Sequence, residues 1–335
     1  MEFDANLKPQ AGLSDVPFRS PRPAFLPNRL LTDPRFDSLL AGKRMLVTGS
    51  SRASYECDDH GVAREGIGDR IALAAARCGA EQLGVHSFEE SIDPGRLDFL
   101  RSQSRGEVNY FSADLGTGAQ EKAHALIDAA WDRMGGIDLL VLAAGTYREP
   151  SILDVSSTDF DRIINLNVKS PFFAAQRFAQ RIAENEINGQ YSIDSPTIIV
   201  ITSINAIMAE SQHALYDGSK AFLEGTLRSW AIDFKPLGIS VFGVAPGLHD
   251  TPLTHAAIYS DPSVYAAQNA AINFGIGSGD DVANAVIALS SGLFAYCSGT
   301  IIRADGGMSS AQFDASKVAR AVRPPTISSW VPSDE

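Results

Sequence analysis

Tyr216 and Lys220 stand four residues apart in the run Tyr-Asp-Gly-Ser-Lys, a spacing that puts both on one face of a helix. Ser203 precedes the tyrosine by 13 residues and closes an apolar, strand-like run, Thr197–Thr202. A serine at a strand end and a Tyr/Lys pair opening the next helix can converge on one ligand. The residue types suit proton transfer to an oxygen. Hydride addition to a carbonyl leaves an alkoxide that must be protonated. A free tyrosine, with a pKa of about 10, exchanges protons poorly near neutrality. A neighbouring ammonium stabilises the phenolate and lowers that pKa. A serine hydroxyl can hold and polarise the reacting oxygen.

A second group of residues suits a dinucleotide. The run Arg44–Thr48 reads as a short strand ending in Gly49-Ser50-Ser51-Arg52, and a helix opens at Gly66-Ile67-Gly68. Glycines allow a tight turn and close approach of backbone to a pyrophosphate, while the helix N-terminus supplies N–H donors. Thirteen residues, Ala53–Glu65, separate the two halves; without them the text is T-G-S-S-R-G-I-G. They include Cys57, Asp58, Asp59 and His60, but no second ligand pair has metal-site spacing, so no metal is expected. A ribose-binding carboxylate is expected at the end of the second strand, where His86 and Ser87 stand instead. That absence, with Arg52 in the turn, favours NADP(H) over NAD(H).

These residues need a frame. Strand-like runs at Gln82–His86, Val108–Phe111, Leu139–Ala144, Ile239–Ala245 and Thr300–Arg303 alternate with helical ones at Asp69–Cys78, Ala119–Met134, Phe160–Ile182, Asp217–Phe234 and Asp280–Ser290. The alternation predicts a doubly wound α/β fold: a parallel sheet of about seven strands with helices on both faces, in three layers. Ligands of such sheets bind at the carboxyl ends of the strands. The chemistry-bearing residues above fall at those ends.

With Ser203, Tyr216 and Lys220 in place, the chain resembles the short-chain dehydrogenase/reductase family, in its single-domain Tyr-x-x-x-Lys branch of 3-oxoacyl-acyl-carrier-protein reductase-like enzymes. The resemblance covers about Lys43 to Met308. It implies that Asn167 completes a proton-relay tetrad, that Asp114-Leu115 contacts the adenine, and that Pro246-Gly247 with Thr251 lies beside the nicotinamide. Tyr216 and Lys220 then also touch cofactor. Leu142-Ala143-Ala144-Gly145 replaces the family's Asn-Asn-Ala-Gly, keeping Ala144 and Gly145 for close cofactor approach. Enoyl reductases of the superfamily space Tyr and Lys more widely, so the four-residue spacing favours carbonyl or alcohol chemistry. The expected activity is hydride transfer between NAD(P)(H) and a ketone or secondary alcohol of a small organic substrate. A non-redox enzyme on the same scaffold, or a cofactor-binding sensor, are the alternatives. The resemblance also implies a homodimer or homotetramer.

Composition narrows the partners. The 335 residues carry a formal charge of −12, which disfavours nucleic acid and anionic membrane surfaces. Cys57, Cys78 and Cys297 form no disulfide framework. No membrane-length apolar run and no secretory signal pattern occurs, so a cytoplasmic location is expected. Prolines gather in residues 1–41 and again at Pro324, Pro325 and Pro332. They mark an N-terminal arm (1–41) and a C-terminal tail (309–335) around one catalytic domain (42–308).

Overall fold

The computed structural model describes residues 36–50, 65–147, 150–189, 195–259, 261–272 and 274–310. Most of the arm, the insertion up to residue 64 and the tail from residue 311 lie outside them, as do Ser51 and Arg52.

In chain order the main elements are β1 (Arg44–Val47), α1 (Ile67–Arg77), β2 (Gln82–Ser87), α2 (Pro94–Gln103), β3 (Glu107–Ser112), α3 (Ala119–Met134) and β4 (Leu139–Leu142). There follow α4 (Ser157–Ile164), a π-helical turn (Asn165–Lys169), α5 (Ser170–Asn188), β5 (Thr197–Ile201), α6 (Ala214–Asp233), β6 (Ser240–Pro246), α7 (Pro262–Ala271), α8 (Gly279–Ser290) and β7 (Ile301–Ala304). The seven strands form one sheet in the order β3-β2-β1-β4-β5-β6-β7, and every pairing is parallel. The expected doubly wound sheet is therefore the observed one.

The strands are apolar on both faces because both faces are covered. Met45, Val47, Val141, Ile199 and Val244 pack with α1 and α8 on one side. Their neighbours Leu46, Leu140, Leu142, Val200 and Val241 pack with α3, α5 and α6 on the other. This is the period-two alternation of a strand. The core also begins before the expected boundary at residue 42. Leu40 is fully buried, and its N–H donates to Cys78 O at 2.9 Å.

Strand order reverses between β1 and β4, where a crevice opens at the carboxyl ends. Thr48 ties its two walls together, since its Oγ1 accepts from the N–H groups of Ala143 (3.0 Å) and Ala144 (3.1 Å).

Candidate active site

On one side of the crevice the two flanks of the glycine motif meet. Gly49 takes φ +65°, and a Cβ there would stand 2.7 Å from Ala144 Cα. A Cβ on Gly68 would stand 2.1 Å from Gly49 O. The start of α1 thus rests directly on the end of β1, a contact only glycine permits. Gly66 caps α1, and its N–H donates to the Asp69 carboxylate at 3.0 Å. Ile67 is half-buried as the first residue of that helix.

Glu65, the last residue of the insertion, is held by a buried ion network. Arg70 bonds Glu65 at 2.5 Å and Asp280 of α8 at 2.5 Å. Arg96 of α2 also pairs with Glu65 and lies 3.6 Å from Asp69. The return of the chain into α1 is therefore fastened to two other helices.

His86 occupies the expected place at the end of β2 in an inward role. Gly49 N–H donates to its Nδ1 (3.1 Å), and its Nε2 donates to Ala113 O (2.9 Å). Burial pulls its pKa down to about 4, against the pull of the Ala113 bond. The neutral ring is a brace between the glycine turn and β3, with both nitrogens already engaged. Ser87 donates to the Glu89 carboxylate at 2.9 Å. A carboxylate therefore stands at the end of β2, two residues beyond the positions read from sequence. Asp114 is exposed and closes a turn, accepting from Gly116 N–H (3.0 Å) and Thr117 Oγ1 (2.8 Å). Leu115 is buried beneath it.

On the other side the four expected reaction residues converge. Asn167 lies in the π turn, and its position follows from Pro171. A proline has no N–H for the carbonyl four residues back, and its ring crowds that carbonyl. The helix widens over Asn165–Lys169, and the Asn167 carbonyl is freed from the α-helical ladder. Its buried side chain accepts from Thr146 N–H (2.9 Å) and donates to Thr146 O (2.7 Å) and Ser219 Oγ (3.1 Å). Ser219 in turn donates to Tyr216 O at 2.7 Å. A Cβ on Gly145 would meet Asn167 Oδ1 at 3.3 Å and Lys220 Nζ at 3.7 Å, so Gly145 passes directly over this pair.

Ser203 lies two residues past the end of β5, and its Oγ accepts from Asn205 N–H at 3.2 Å. It also hydrogen-bonds the Tyr216 side chain. Lys220 Nζ donates to Ile201 O at 2.9 Å and lies 5.7 Å from the Tyr216 ring centroid. Burial pulls its pKa down to about 8. The Tyr216 pKa is raised: burial pushes it up, the Ser203 bond opposes, and the Asp217 and Glu210 carboxylates add to the rise. The Lys220 ammonium bonds a backbone carbonyl rather than the Tyr216 hydroxyl.

In the loop expected beside a nicotinamide, Gly247 N–H donates to Ala304 O at 3.0 Å, and a Cβ there would stand 2.7 Å from Asp305 Cβ. Pro246 ends β6. Thr251 is buried and bonded to Thr254 at 3.0 Å.

Sequence reasoning missed Thr146 and Ser219, whose roles depend on contacts distant in the chain. It also missed Tyr147 and His213, which flank Tyr216 at 6.4 and 6.3 Å between ring centroids. Pro171, four residues after Asn167, was the available signal for the π turn. Among the described residues no three His, Cys, Asp or Glu gather to hold a metal ion, and no helix is long and apolar enough to cross a membrane.

The family model described as Enoyl-(Acyl carrier protein) reductase matches residues 61–309. The chain belongs to the short-chain dehydrogenase/reductase family. It is 30% identical to 3beta-hydroxysteroid dehydrogenase 1 of Eggerthella lenta over 80% of this chain and 94% of that protein. Among solved structures it is similar to a gluconate 5-dehydrogenase from Burkholderia cenocepacia in complex with NADP and tartrate (TM-score 0.69, 25% identity, 83% of this chain and 100% of that one). A 3-oxoacyl-acyl-carrier-protein reductase from Brucella melitensis in complex with NAD is also similar (TM-score 0.67, 27% identity, 81% and 98%). The chain is an oxidoreductase of this family, with a nicotinamide cofactor and chemistry at hydroxyl and keto groups; the non-redox alternative is not supported. The crevice fits such a cofactor, since Gly49, Gly68 and Gly247 leave no room for a Cβ against Ala144, Gly49 and Asp305, the tight backbone packing that lets a dinucleotide lie close.

Proposed function

We propose that the protein interconverts a ketone and a secondary alcohol of a small organic substrate, with Tyr216 as the acid/base. The carrying observation is the convergence of Ser203, Tyr216, Lys220 and Asn167 beside Gly145 at the carboxyl ends of β4 and β5. When bound, the nicotinamide supplies the hydride in reduction and accepts it in oxidation. In reduction the substrate oxygen accepts hydrogen bonds from Ser203 and Tyr216, and the phenol proton passes to it as the carbonyl carbon gains hydride. Lys220 turns from Ile201 O toward the phenolate and stabilises it. Asn167 holds Thr146 and Ser219 in register, and its freed carbonyl anchors the relay that returns the proton. Gly49, Gly66, Ile67, Gly68, Asp114, Leu115, Ala144, Gly145, Pro246, Gly247 and Thr251 form the cofactor cleft.

Tyr216→Phe tests this. Turnover is expected to fall by a factor of about 10² to 10⁴, with cofactor affinity retained in a fluorescence titration. Unchanged turnover overturns the assignment.

Glu89 supports NAD(H) as the preferred cofactor, against the preference for NADP(H) read from sequence. Its carboxylate, held on Ser87, can accept from a ribose diol and repels a 2′-phosphate. Glu89→Gln is expected to shift the NADH-to-NADPH ratio of kcat/KM toward NADPH. A wild-type enzyme that already prefers NADPH refutes this reading. The exposed apolar residues Phe160, Ile187, Phe222 and Ile232 on α4, α5 and α6 support a homodimer or homotetramer. A cytoplasmic location completes the proposal.

A further inference from the structure

We infer that the site selects uncharged, ring-bearing alcohols and ketones, with the substrate ring lying against Tyr147 and His213. This rests on the oxidoreductase reading above and names its substrate class.

Tyr147 and His213 reach the site from different elements. Tyr147 follows Gly145 by two residues at the end of β4, and His213 precedes Tyr216 by three. Their rings stack at 5.6 Å with planes 22° apart. Each stands nearly perpendicular to the Tyr216 ring, at 78° and 75°. The centroids thus form an almost isosceles triangle with the acid/base at its apex. The stacked pair is an aromatic wall beside the Tyr216 ring, each ring with one face on its partner and the other turned away from it. Both rings are only partly buried, so the wall is open to a ligand. A chain-like substrate gains little from such a surface, whereas a ring gains face contact over its whole area.

The polar atoms of the wall suit hydroxyls. His213 Nδ1 donates to Ser211 O at 2.9 Å, which leaves Nε2 as the nitrogen for a substrate group. Tyr147 OH has no hydrogen-bond partner among the described residues. Apart from the buried Lys220 ammonium behind the ring, the charges next to Tyr216 are acidic. Asp217 is fixed by Asn205 Nδ2 (2.8 Å) and by Glu210 N–H (3.0 Å), and Glu210 itself is exposed. An anionic substrate, such as a keto acid or a phosphate-bearing thioester, meets two carboxylates on approach. A neutral ring meets none of that repulsion.

Three probes test the inference: cyclohexanone (cyclic, uncharged), 2-butanone (acyclic, uncharged) and acetoacetate (acyclic, anionic), each reduced with NADH and with NADPH. The expected order of kcat/KM is cyclohexanone, then 2-butanone, then acetoacetate. Tyr147→Ala and His213→Ala each lower the cyclohexanone-to-butanone ratio about tenfold, carried by KM. Glu210→Gln raises the acetoacetate-to-butanone ratio. Butanone or acetoacetate turned over as well as cyclohexanone overturns the inference and leaves the oxidoreductase reading standing. So does an alanine variant that slows cyclohexanone and butanone equally, the mark of a merely structural role. No turnover of any probe, in wild type and Tyr216→Phe alike, overturns the oxidoreductase reading itself, and the inference with it.

Discussion

The cofactor side and the substrate side of the crevice are built by different means. On the cofactor side backbone meets backbone. Gly68 sits on Gly49, Gly49 on Ala144, and Gly247 on Asp305, each too close for a Cβ. Buried side chains such as His86 and Arg96 lock those contacts. On the substrate side, side chains do the work and stay near solvent. Tyr147 and His213 are only partly buried, and in the stretch after Thr251, which we also assign to the substrate side, Tyr259, Tyr265 and Phe274 are 47%, 37% and 58% exposed. Tyr259 stacks on Tyr265 at 5.3 Å and bonds Asp250 at 3.1 Å, and Asp250 holds His255 at 2.9 Å. Geometry fixed by steric exclusion responds to mutation in an all-or-none way. Geometry fixed by exposed side chains responds by degrees.

The sharpest way to break this contrast is Gly68→Ala. One methyl directed at Gly49 O is expected to abolish cofactor binding and to cost about 3 kcal/mol, the upper end for overpacking. A calorimetric Tm and a cofactor titration check both; a variant that binds cofactor normally erases the distinction. Next in size is a pH effect through His86. Its folded-state pKa, about 4, lies below the ordinary 6.5, so protons favour the unfolded chain. The associated stability is complete above pH 6.5 and is lost as pH falls toward 4, by up to about 3 kcal/mol. Urea unfolding across that window measures it, and His86→Gln is expected to flatten the slope. The smallest effect belongs to the substrate side. Tyr259→Ala is expected to cost under about 1 kcal/mol and to change substrate KM with cofactor KM unmoved. An equal change in both constants contradicts the division.

Legibility in the sequence divides along similar lines. Strands buried on both faces, such as Leu139–Leu142, are continuous apolar runs and were readable as such. Ala119–Met134 was readable too, since its apolar face is regular and Gly135 stops it with φ +69°. Phe160–Ile182 reads as one helix, yet Pro171 splits the stretch into α4, a π turn and α5. Helix α2 escaped because it buries only Arg96 and Leu100 and so lacks an apolar stripe. At the site, Ser203, Tyr216 and Lys220 were legible because they are close in sequence. His86 stands where a ribose-binding carboxylate is expected, but its partners Gly49 and Ala113 lie 37 and 27 residues away, and only the fold shows that they engage its ring. Glu89 was not singled out because it lies beyond the strand-like run, and only the fold brings its carboxylate to the Ser87 hydroxyl. Ser51, Arg52 and the insertion up to residue 64 lie outside the described residues.

The separate fastening of Ser50 and Glu65 bears on how this enzyme can diverge. Ser50 is tied to β2 through His86, and Glu65 to α1 and α2 through Arg70 and Arg96. Because the two anchors share no partner, either can change in sequence while the other keeps its register. The two halves of the glycine-rich motif can therefore drift separately, one against the sheet and the other against the helices.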